Sequence, residues 1–370
     1  MSKPARAIFF ASLTVLLAAG SPGASSPTGR PSADRSPAIA QAQELSRSLS
    51  QSLPLSVMTY NVMGLPWPIA FGRDAALSRI ADRLSALRAA GRQPHVILLQ
   101  EAFIVDPAQF ARRAGYAHVA AGPDVQARTA IAPTAADAAF LRDARWDRGE
   151  TAPKQLASGL VILSDYPIDR IDRLAYPAFA CAGFDCLANK GALIAHLRVP
   201  GIDRPVAVVN THLNARKAAG VPIARSQHAF DRQVALLAAF VRRHVPHDHA
   251  MIMGGDLNIG RDPDRVRSFF TRWQAAGQAF VDAALGGGGR ALAQGAATDR
   301  DARRDLMETV KRGKDWLFAR DADGVPMAVA HAAVPFGGAT GDRLSDHAGY
   351  MIGYAPAAAR PLRFADADMR

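Results

Sequence analysis

Short apolar runs separated by polar segments recur from residue 56 to residue 354 and predict strands, because strands buried on both faces are continuously apolar. The predicted strands are 56–63, 95–101, 117–121, 158–164, 169–175, 191–199, 205–212, 250–257, 314–319, 326–333 and 347–354. Apolar residues at helical spacing predict helices at 74–90, 107–114, 226–244 and 262–276. In the first helix Leu77, Ile80 and Leu84 lie on one face, and Gly91 ends it.

The order of these elements predicts one folded domain, at 55–356, because no linker interrupts them. Many strands with helices between and after them favour the α/β class, with sheets packed face to face and helices outside. Segment 122–156 has no clear period, and we interpret it as a long surface insertion that shapes the rim of a site. The glycine run at 286–289 is expected to be a flexible loop.

The N-terminus is typical of a secretory signal peptide, at residues 1–26. Lys3 and Arg6 precede an apolar run, 7–19, that is too short to span a bilayer. No cysteine lies directly after this run, so a lipoprotein anchor is not expected. Residues 27–54 are rich in Ser, Pro, Ala and Gln and predict a flexible leader, and 357–370 predicts a C-terminal tail. We therefore expect a secreted or periplasmic protein.

Charge and cysteine content add two expectations. The 370 residues are 49% hydrophobic, enough for a sizeable core, and the formal net charge is +11. A basic surface suits phosphate-bearing partners, whether nucleic acid or an anionic membrane, although an arginine-rich proteome gives the same charge. Cys181 and Cys186 are the two cysteines; in an exported protein they favour one small disulfide loop, with two free thiols as the alternative.

The segment with the clearest chemistry is Gly254-Gly255-Asp256-Leu257-Asn258, at the end of an apolar strand. Residues two apart on a strand point to the same face, so Asp256 and Asn258 project together. A carboxylate with an amide oxygen suits a hard cation such as Mg²⁺. The alternative for this segment is a plain strand end with an Asx-turn.

Four other apolar runs also end in polar residues that could bind a metal or take part in catalysis. They end at Asn61, at Glu101, at His212 and at Asp346-His347. Packing alone does not require Asn, Glu, His, Asp-x-Asn and Asp-His at successive strand ends. The set therefore predicts a catalytic or metal site.

Together these residues resemble the endonuclease/exonuclease/phosphatase superfamily, the fold of pancreatic deoxyribonuclease, abasic-site endonucleases, inositol-polyphosphate phosphatases and neutral sphingomyelinases. The resemblance covers roughly Ser56 to Tyr354. It implies a four-layer α/β sandwich, two packed β-sheets flanked by helices, with the site at one edge of the pair. The implied cofactor is Mg²⁺ or another divalent cation such as Mn²⁺ or Co²⁺.

The resemblance also implies metal ligands. Glu101 is the expected ligand of the first metal, Asn61 holds that ligand or the phosphate, and Asp346 supports the metal through water. Asp256 and Asn258 are expected to bind a second metal or to orient the attacking water.

Three further residues are implied in catalysis. His347 is the expected general base and a candidate metal ligand, and Asp315 orients it. His212 is expected to donate to a non-bridging phosphate oxygen. The implied reaction is in-line attack by an activated water on a phosphodiester.

The segment Asn189-Lys190-Gly191 helps to choose between the substrate classes of the superfamily. Nucleases of the superfamily usually have a glutamate here, whereas this pattern and the Cys181–Cys186 turn resemble secreted neutral sphingomyelinases. The resemblance implies a monomeric enzyme that cleaves sphingomyelin to ceramide and phosphocholine, with peripheral membrane contact. The alternatives are a secreted nuclease that binds nucleic acid, a phosphoinositide or other phosphomonoester phosphatase, and a non-catalytic binding module.

The membrane contact expected from the resemblance is reduced or relocated in this chain. The segment at 334–340, where an aromatic membrane loop is expected, is short and has one aromatic residue, Phe336. Trp67 and its apolar neighbours are the other candidate, with ordinary packing as the alternative. His244, His247 and His249 are interpreted as part of a solvated loop.

Overall fold

Each predicted strand is present, with its ends shifted, in a computed structural model that describes residues 55–278, 286–338 and 343–355. The strands are β1 (Leu55–Asn61), β2 (Val96–Gln100), β3 (His118–Ala121), β4 (Val161–Ser164), β5 (Ile168–Ala175), β6 (Gly191–Leu197), β7 (Val206–His212), β8 (Met251–Asp256), β9 (Asp315–Arg320), β10 (Val329–Phe336) and β11 (Gly349–Tyr354).

Seven α-helices connect these strands in the described ranges. They are α1 (Arg73–Ala89), α2 (Pro107–Ala114), α3 (Ala135–Arg142), α4 (Ile223–His244), α5 (Pro263–Ala275), α6 (Gly287–Ala293) and α7 (Arg300–Arg312). The four predicted helices correspond to α1, α2, α4 and α5. Two of them begin with an Asp-Pro pair, and the carboxylates of Asp106 and Asp262 cap the free backbone N–H groups of α2 and α5.

The expectation of a flexible loop at 286–289 is wrong, because Gly287 begins helix α6. A Cβ atom on Gly288 would lie 3.0 Å from Val310 Cγ2 and 3.4 Å from Leu306 Cδ1, so α6 packs closely against α7. Glycine has a low intrinsic helix propensity, and here close tertiary packing overrides it. The sequence pattern also missed α7, whose surface is mostly charged and which buries only a narrow stripe that includes Leu306.

The strands form two sheets. The first has the order β10-β11-β1-β2-β4-β3, and the second has the order β5-β6-β7-β8-β9. Within them β1 runs parallel to β2, and β7 runs parallel to β8. Each parallel pair therefore presents two carboxyl ends side by side at the same edge of the molecule.

Three apolar clusters separate four layers. The inner cluster lies between the sheets and contains Leu98, Leu193, Val208 and Ile252. The outer clusters pack α4 and α5 on the second sheet, and α1 and α2 on the first. The α/β sandwich expected from the resemblance is confirmed.

A polar contact joins the two sheets through the inner layer. Gln100 on β2 donates from Nε2 to Asn210 Oδ1 on β7 at 2.8 Å, and Asn210 Nδ2 donates to Leu99 O at 2.9 Å. Both side chains are fully buried. Since a buried polar group that lost its partner would be costly, this contact favours one register of the sheets beneath their common edge.

Segment 122–156 packs against the loop closed by the disulfide Cys181–Cys186, which the structure contains. It includes α3, which the sequence did not predict. Asn189 Nδ2 donates to the carbonyls of Asp124 and Ala127, at 2.6 and 2.9 Å. The segment is therefore attached to the residues that precede β6.

The predicted signal peptide, leader and C-terminal tail, and residues 339–340 of the expected membrane loop, lie outside the described residues. In the part of the chain that the structure describes, each helix is too short or too polar to cross a membrane. The expectation of a solvated loop is wrong for His244, which is the last residue of α4 and lies 3.0 Å from Asp172 Oδ1, whereas His247 is exposed.

Candidate active site

The sheet register brings the predicted site residues to one edge. Asn61 pairs with Gln100, so Glu101 follows at the next position. His212 pairs with Asp256, and Asp256 pairs with Asp315 on β9. His347 precedes β11, the neighbour of β1. The side chains that converge here, called the polar cluster below, are Asn61, Glu101, His212, Asp256, Asp315 and His347.

The backbone around the polar cluster is constrained. Glu101 has φ 54° and Asn258 has φ 48°, both in the left-handed region that residues other than glycine rarely occupy. Gly255 has φ 137°, and a Cβ atom there would lie 1.9 Å from Thr211 O. Strained backbone of this kind persists where surrounding structure holds it, and it is common at functional sites.

Asn61 links the two carboxylates of the polar cluster. Its Nδ2 lies 2.9 Å from Glu101 Oε1 and 3.2 Å from Asp256 Oδ2, and its Oδ1 accepts from the Met63 backbone N–H at 3.0 Å. In this orientation Asn61 holds the carboxylates by donating to them, and its amide oxygen faces the backbone.

His212 lies against the same carboxylates but stays neutral. Its Nε2 is 3.6 Å from Asp256 Oδ2 and 4.0 Å from Glu101 Oε1. Burial, reinforced by the charge of Lys190, lowers the pKa of His212 to about 3, although Asp256 acts in the opposite direction. A neutral imidazole can donate one hydrogen bond without bringing a buried charge.

His347 has the opposite electrostatic character. Its Nδ1 lies 2.8 and 2.9 Å from the two carboxylate oxygens of Asp315, and its Nε2 is 3.7 Å from Asp256 Oδ2. Burial by itself would lower the pKa of His347. The charge and hydrogen bond of Asp315, with the charges of Asp256 and Asp346, outweigh burial and raise that pKa to about 9.

Two predicted residues lie at the margin of the cluster. Asp346 Oδ2 is 3.9 Å from His347 Nε2, and its side chain is 62% exposed. Asn258 is buried beside Asp256; its Nδ2 donates to Leu213 O at 2.9 Å, and its carbonyl accepts from Arg265. Asn258 thus connects the end of β8 to the loop after His212.

Lys190 and Asp185 also belong to the site. The sequence indicated Lys190 only as part of a substrate motif and gave neither residue a catalytic or binding role. Lys190 is buried, and its Nζ lies 2.8 Å from Asp185 Oδ2 and 3.2 Å from His212 Nε2. Asp185 Oδ2 also accepts from the Ala215 backbone N–H at 2.6 Å. The available signal was a lysine directly before a strand whose first five residues are all apolar or small.

The donor set of the polar cluster fits a hard divalent cation. Ligand atoms of Glu101, His212 and Asp256 lie within 4.8 Å of one another, and so do those of Asp256, Asp315 and His347. Burial raises the pKa of Glu101, and only the Asn61 hydrogen bond and more distant cations oppose it. A cation between Glu101 and Asp256 would relieve this cost, since oxygen ligands suit Mg²⁺.

The sequence that carries the polar cluster also matches a protein-family model. The model of the endonuclease/exonuclease/phosphatase family matches residues 58–347, from the strand before Asn61 to His347 itself. The chain belongs to this family.

Sequence relatives are consistent with that membership. Curated relatives named sphingomyelinase, from Mycobacterium bovis and Mycobacterium tuberculosis, are 25% identical over 306 residues. The match covers 81% of this chain and 52% of each relative. The chain therefore spans about half the length of the curated relatives it matches.

Solved structures share the fold. Sphingomyelinase C from Streptomyces griseocarneus has a TM-score of 0.53 at 20% identity and covers 81% of this chain and 98% of its own. A beta toxin variant from Staphylococcus aureus with bound magnesium ions has a TM-score of 0.53 at 15% identity and covers 82% and 99%. Both share the fold of this chain.

Proposed function

We propose that this protein is a secreted, Mg²⁺-dependent phosphodiesterase that acts as a monomer and hydrolyses sphingomyelin to ceramide and phosphocholine. The observation that carries the proposal is the ion pair of the buried Lys190 with the half-buried Asp185, beside His212. Lys190 belongs to the segment Asn189-Lys190-Gly191, and the nucleases that this chain resembles usually have a glutamate at or near this strand start. This segment resembles that of secreted neutral sphingomyelinases, and the Lys190 ammonium would attract a substrate phosphate.

Glu101 and Asp256 would hold the divalent cation, and Asn61 would fix both carboxylates relative to each other. Asn258 would support Asp256, to whose Oδ1 its backbone N–H donates at 3.1 Å. Asp346, exposed at the margin, would contact the cation through water. When bound, the cation would neutralise charge that develops on the phosphate.

The two histidines have separate roles in this mechanism. His347 in its neutral form accepts the proton of the attacking water, and a cation that neutralises Asp256 would favour that form by lowering the raised pKa of His347. Asp315 orients the imidazole and stabilises it once it is protonated. The proposed role of His212 is to donate to a non-bridging phosphate oxygen. In the present arrangement its Nε2 accepts from the Lys190 ammonium at 3.2 Å, so this donation requires the tautomer that carries the proton on Nε2, with the ammonium turned towards the phosphate.

Exposed apolar side chains at the site edge support a lipid substrate. The loop after β1 exposes 76% of Trp67, 64% of Ile69 and 76% of Phe71. On the loops before β4 and β6, Trp146 is 81% exposed and Phe184 is 46% exposed. Since β1 ends and β4 and β6 begin at the edge of the polar cluster, these side chains can meet a bilayer where its headgroups reach the site.

The test uses the mature protein with Mg²⁺ and compares it with Asp256→Ala. Phosphocholine release from sphingomyelin vesicles and nicking of supercoiled DNA are measured side by side, with and without chelator. We expect metal-dependent phosphocholine release that the substitution abolishes, with the DNA intact. Glu101→Gln serves as a second metal-site variant, and Asp323→Asn, on an exposed loop at the opposite edge, serves as the matched control.

The second candidate is a secreted endonuclease, which the net charge of +11 favours through attraction to phosphates. The segment Asn189-Lys190-Gly191, which lacks the glutamate usual in the nucleases that this chain resembles, disfavours it. DNA nicking with intact lipid would replace the sphingomyelinase proposal with this one. If neither substrate were cleaved, other phosphoesters would have to be tested on the same site.

A further inference from the structure

Arg73, the first residue of α1, binds three backbone carbonyls next to the polar cluster. Its Nε donates to Met63 O at 2.7 Å, and its Nη2 donates to Val62 O at 2.8 Å and to Leu344 O at 2.7 Å. The side chain is partly buried. One guanidinium thus bridges two chain segments that are far apart in sequence.

Both bridged segments carry residues of the polar cluster. Val62 and Met63 directly follow Asn61, and Leu344 directly precedes the Ser345-Asp346-His347 segment. A second contact runs beside the first: Ser345 Oγ donates to Asn61 O at 2.7 Å and accepts from the His347 backbone N–H at 3.2 Å. Arg73 and Ser345 together hold the His347 loop against the end of β1.

Arg73 also closes the base of the apolar loop that contains Trp67. This loop leaves the core at Met63, whose φ of 51° is in the left-handed region, and returns at Arg73. The Met63 carbonyl is held by Arg73, and the Met63 N–H is held by Asn61 Oδ1. Strained backbone persists only where its surroundings hold it, and here Arg73 supplies one of the two contacts.

We infer that Arg73 is a positioning residue that joins the base of the Trp67 loop to the His347 loop and holds His347 in register with Asn61. The inference rests on the proposed phosphodiester hydrolysis. Arginine suits this role because its planar guanidinium offers five donors in a fixed arrangement, whereas a lysine ammonium is a compact charge on a flexible chain.

The experiment compares Arg73→Ala and Arg73→Lys with Arg92→Ala. Arg92 is an exposed arginine just beyond the other end of α1, so its variant removes the same charge far from the site. Hydrolysis is measured on sphingomyelin vesicles and on soluble bis(4-nitrophenyl) phosphate. We expect Arg73→Ala to lower kcat about 10- to 100-fold on both substrates, since small misplacement of a catalytic group has effects of that size.

Two readouts separate positioning from a general loss of structure. On the soluble diester KM should stay within about threefold, because that substrate does not need the Trp67 loop, and so should the Mg²⁺ affinity, because Arg73 donates to neither Glu101 nor Asp256. Millimolar guanidinium should restore part of the lost kcat. Arg73→Lys should recover less than half of the wild-type kcat. An unchanged kcat, a loss confined to KM, or a loss equal to the unfolded fraction would overturn the inference.

The test remains decisive in two other cases. If the protein cleaves DNA and not sphingomyelin, the proposed substrate fails, but the kcat ratio on the soluble diester still decides the role of Arg73. If Arg73→Ala does not fold, Arg73→Lys, which keeps the charge, gives the same comparison. A folded Arg73→Lys variant with full kcat would then refute the role.

Discussion

Replacing Asp315 with Asn removes one negative charge from the group that holds His347 and leaves the side chain almost the same size. Both carboxylate oxygens lie within 2.9 Å of His347 Nδ1. Asparagine has one oxygen and one NH₂ group, so it can accept from Nδ1–H or donate to a bare Nδ1. In the second arrangement the proton lies on Nε2, which then cannot accept a proton from water.

The structure sets the size of the effect. The pKa of His347 rises from 6.5 to about 9, and Asp315 is the largest cause that raises it. That difference corresponds to about 3 kcal/mol, since one pKa unit is 1.36 kcal/mol. Without Asp315, burial would lower the pKa of His347, and of the causes that raise it only the charges of Asp256 and Asp346 would remain. A general base typically contributes a factor of about 10² to 10⁴, and we expect Asp315→Asn to lose kcat within that range.

The assay combines phosphocholine release with direct measurements of His347 and of the metal. The His347 pKa is followed by NMR titration of the imidazole in the metal-free protein, and Mg²⁺ or Mn²⁺ affinity is measured by calorimetry. We expect a lower pKa, a lower kcat and an unchanged metal affinity. Asp323→Asn, which removes a charge from an exposed loop at the opposite edge, should change none of these.

Two results would refute this reasoning about Asp315. If kcat stayed within threefold of wild type, Asp315 would not support the base. If metal affinity fell in parallel with kcat, Asp315 would be a metal ligand, an assignment that the proximity of Asp256, Asp315 and His347 also allows. Measuring both quantities on one variant distinguishes these outcomes.

Three other predictions follow from the same geometry. Lys190→Met should lower the free energy of unfolding by about 3 kcal/mol, because it leaves the Asp185 carboxylate without its cation. Lys190→Met/Asp185→Asn should regain stability but not phosphocholine release, as checked by urea denaturation and activity. Trp67→Ala/Phe71→Ala should weaken vesicle binding about 10- to 100-fold in sedimentation assays and leave bis(4-nitrophenyl) phosphate hydrolysis unchanged; equal loss on both substrates would contradict a lipid role. Burial lowers the pKa of His95 and of His196 below 6.5, so each binds its proton less tightly when folded than when unfolded. Their contribution to the free energy of unfolding should be fully present above pH 6.5 and fall as pH drops below it, and a flat urea midpoint from pH 7 to pH 5 would contradict this.

The local sequence was sufficient to predict the strands and to identify candidate residues of the site. A buried strand has the same apolar run wherever it lies in the fold, so β1, β2, β7 and β8 were visible without a structure. The polar residues that follow those runs, such as Glu101 and Asp256, stood out because nothing in a packed core requires them. The expected sandwich follows from the resemblance that these residues carry.

Other features depended on contacts between distant segments. Helix α6 begins at Gly287 because α7 packs closely against it, and a glycine run alone predicts a loop. The orientation of Asn61, whose NH₂ group faces Glu101 and Asp256, depends on where those carboxylates lie. The assigned roles of the site residues remain predictions that the proposed substitutions test.

The sequence by itself determined the strands, four of the helices and most of the side chains available for chemistry, because periodicity and residue type are properties of neighbours along the chain. Only the tertiary structure decided how those side chains meet. Lys190 reaches His212 and Arg73 reaches Leu344 across many intervening residues. Their partners are set by sheet register and layer packing, which a linear pattern does not contain, and the pKa values of His212 and His347 diverge for the same reason.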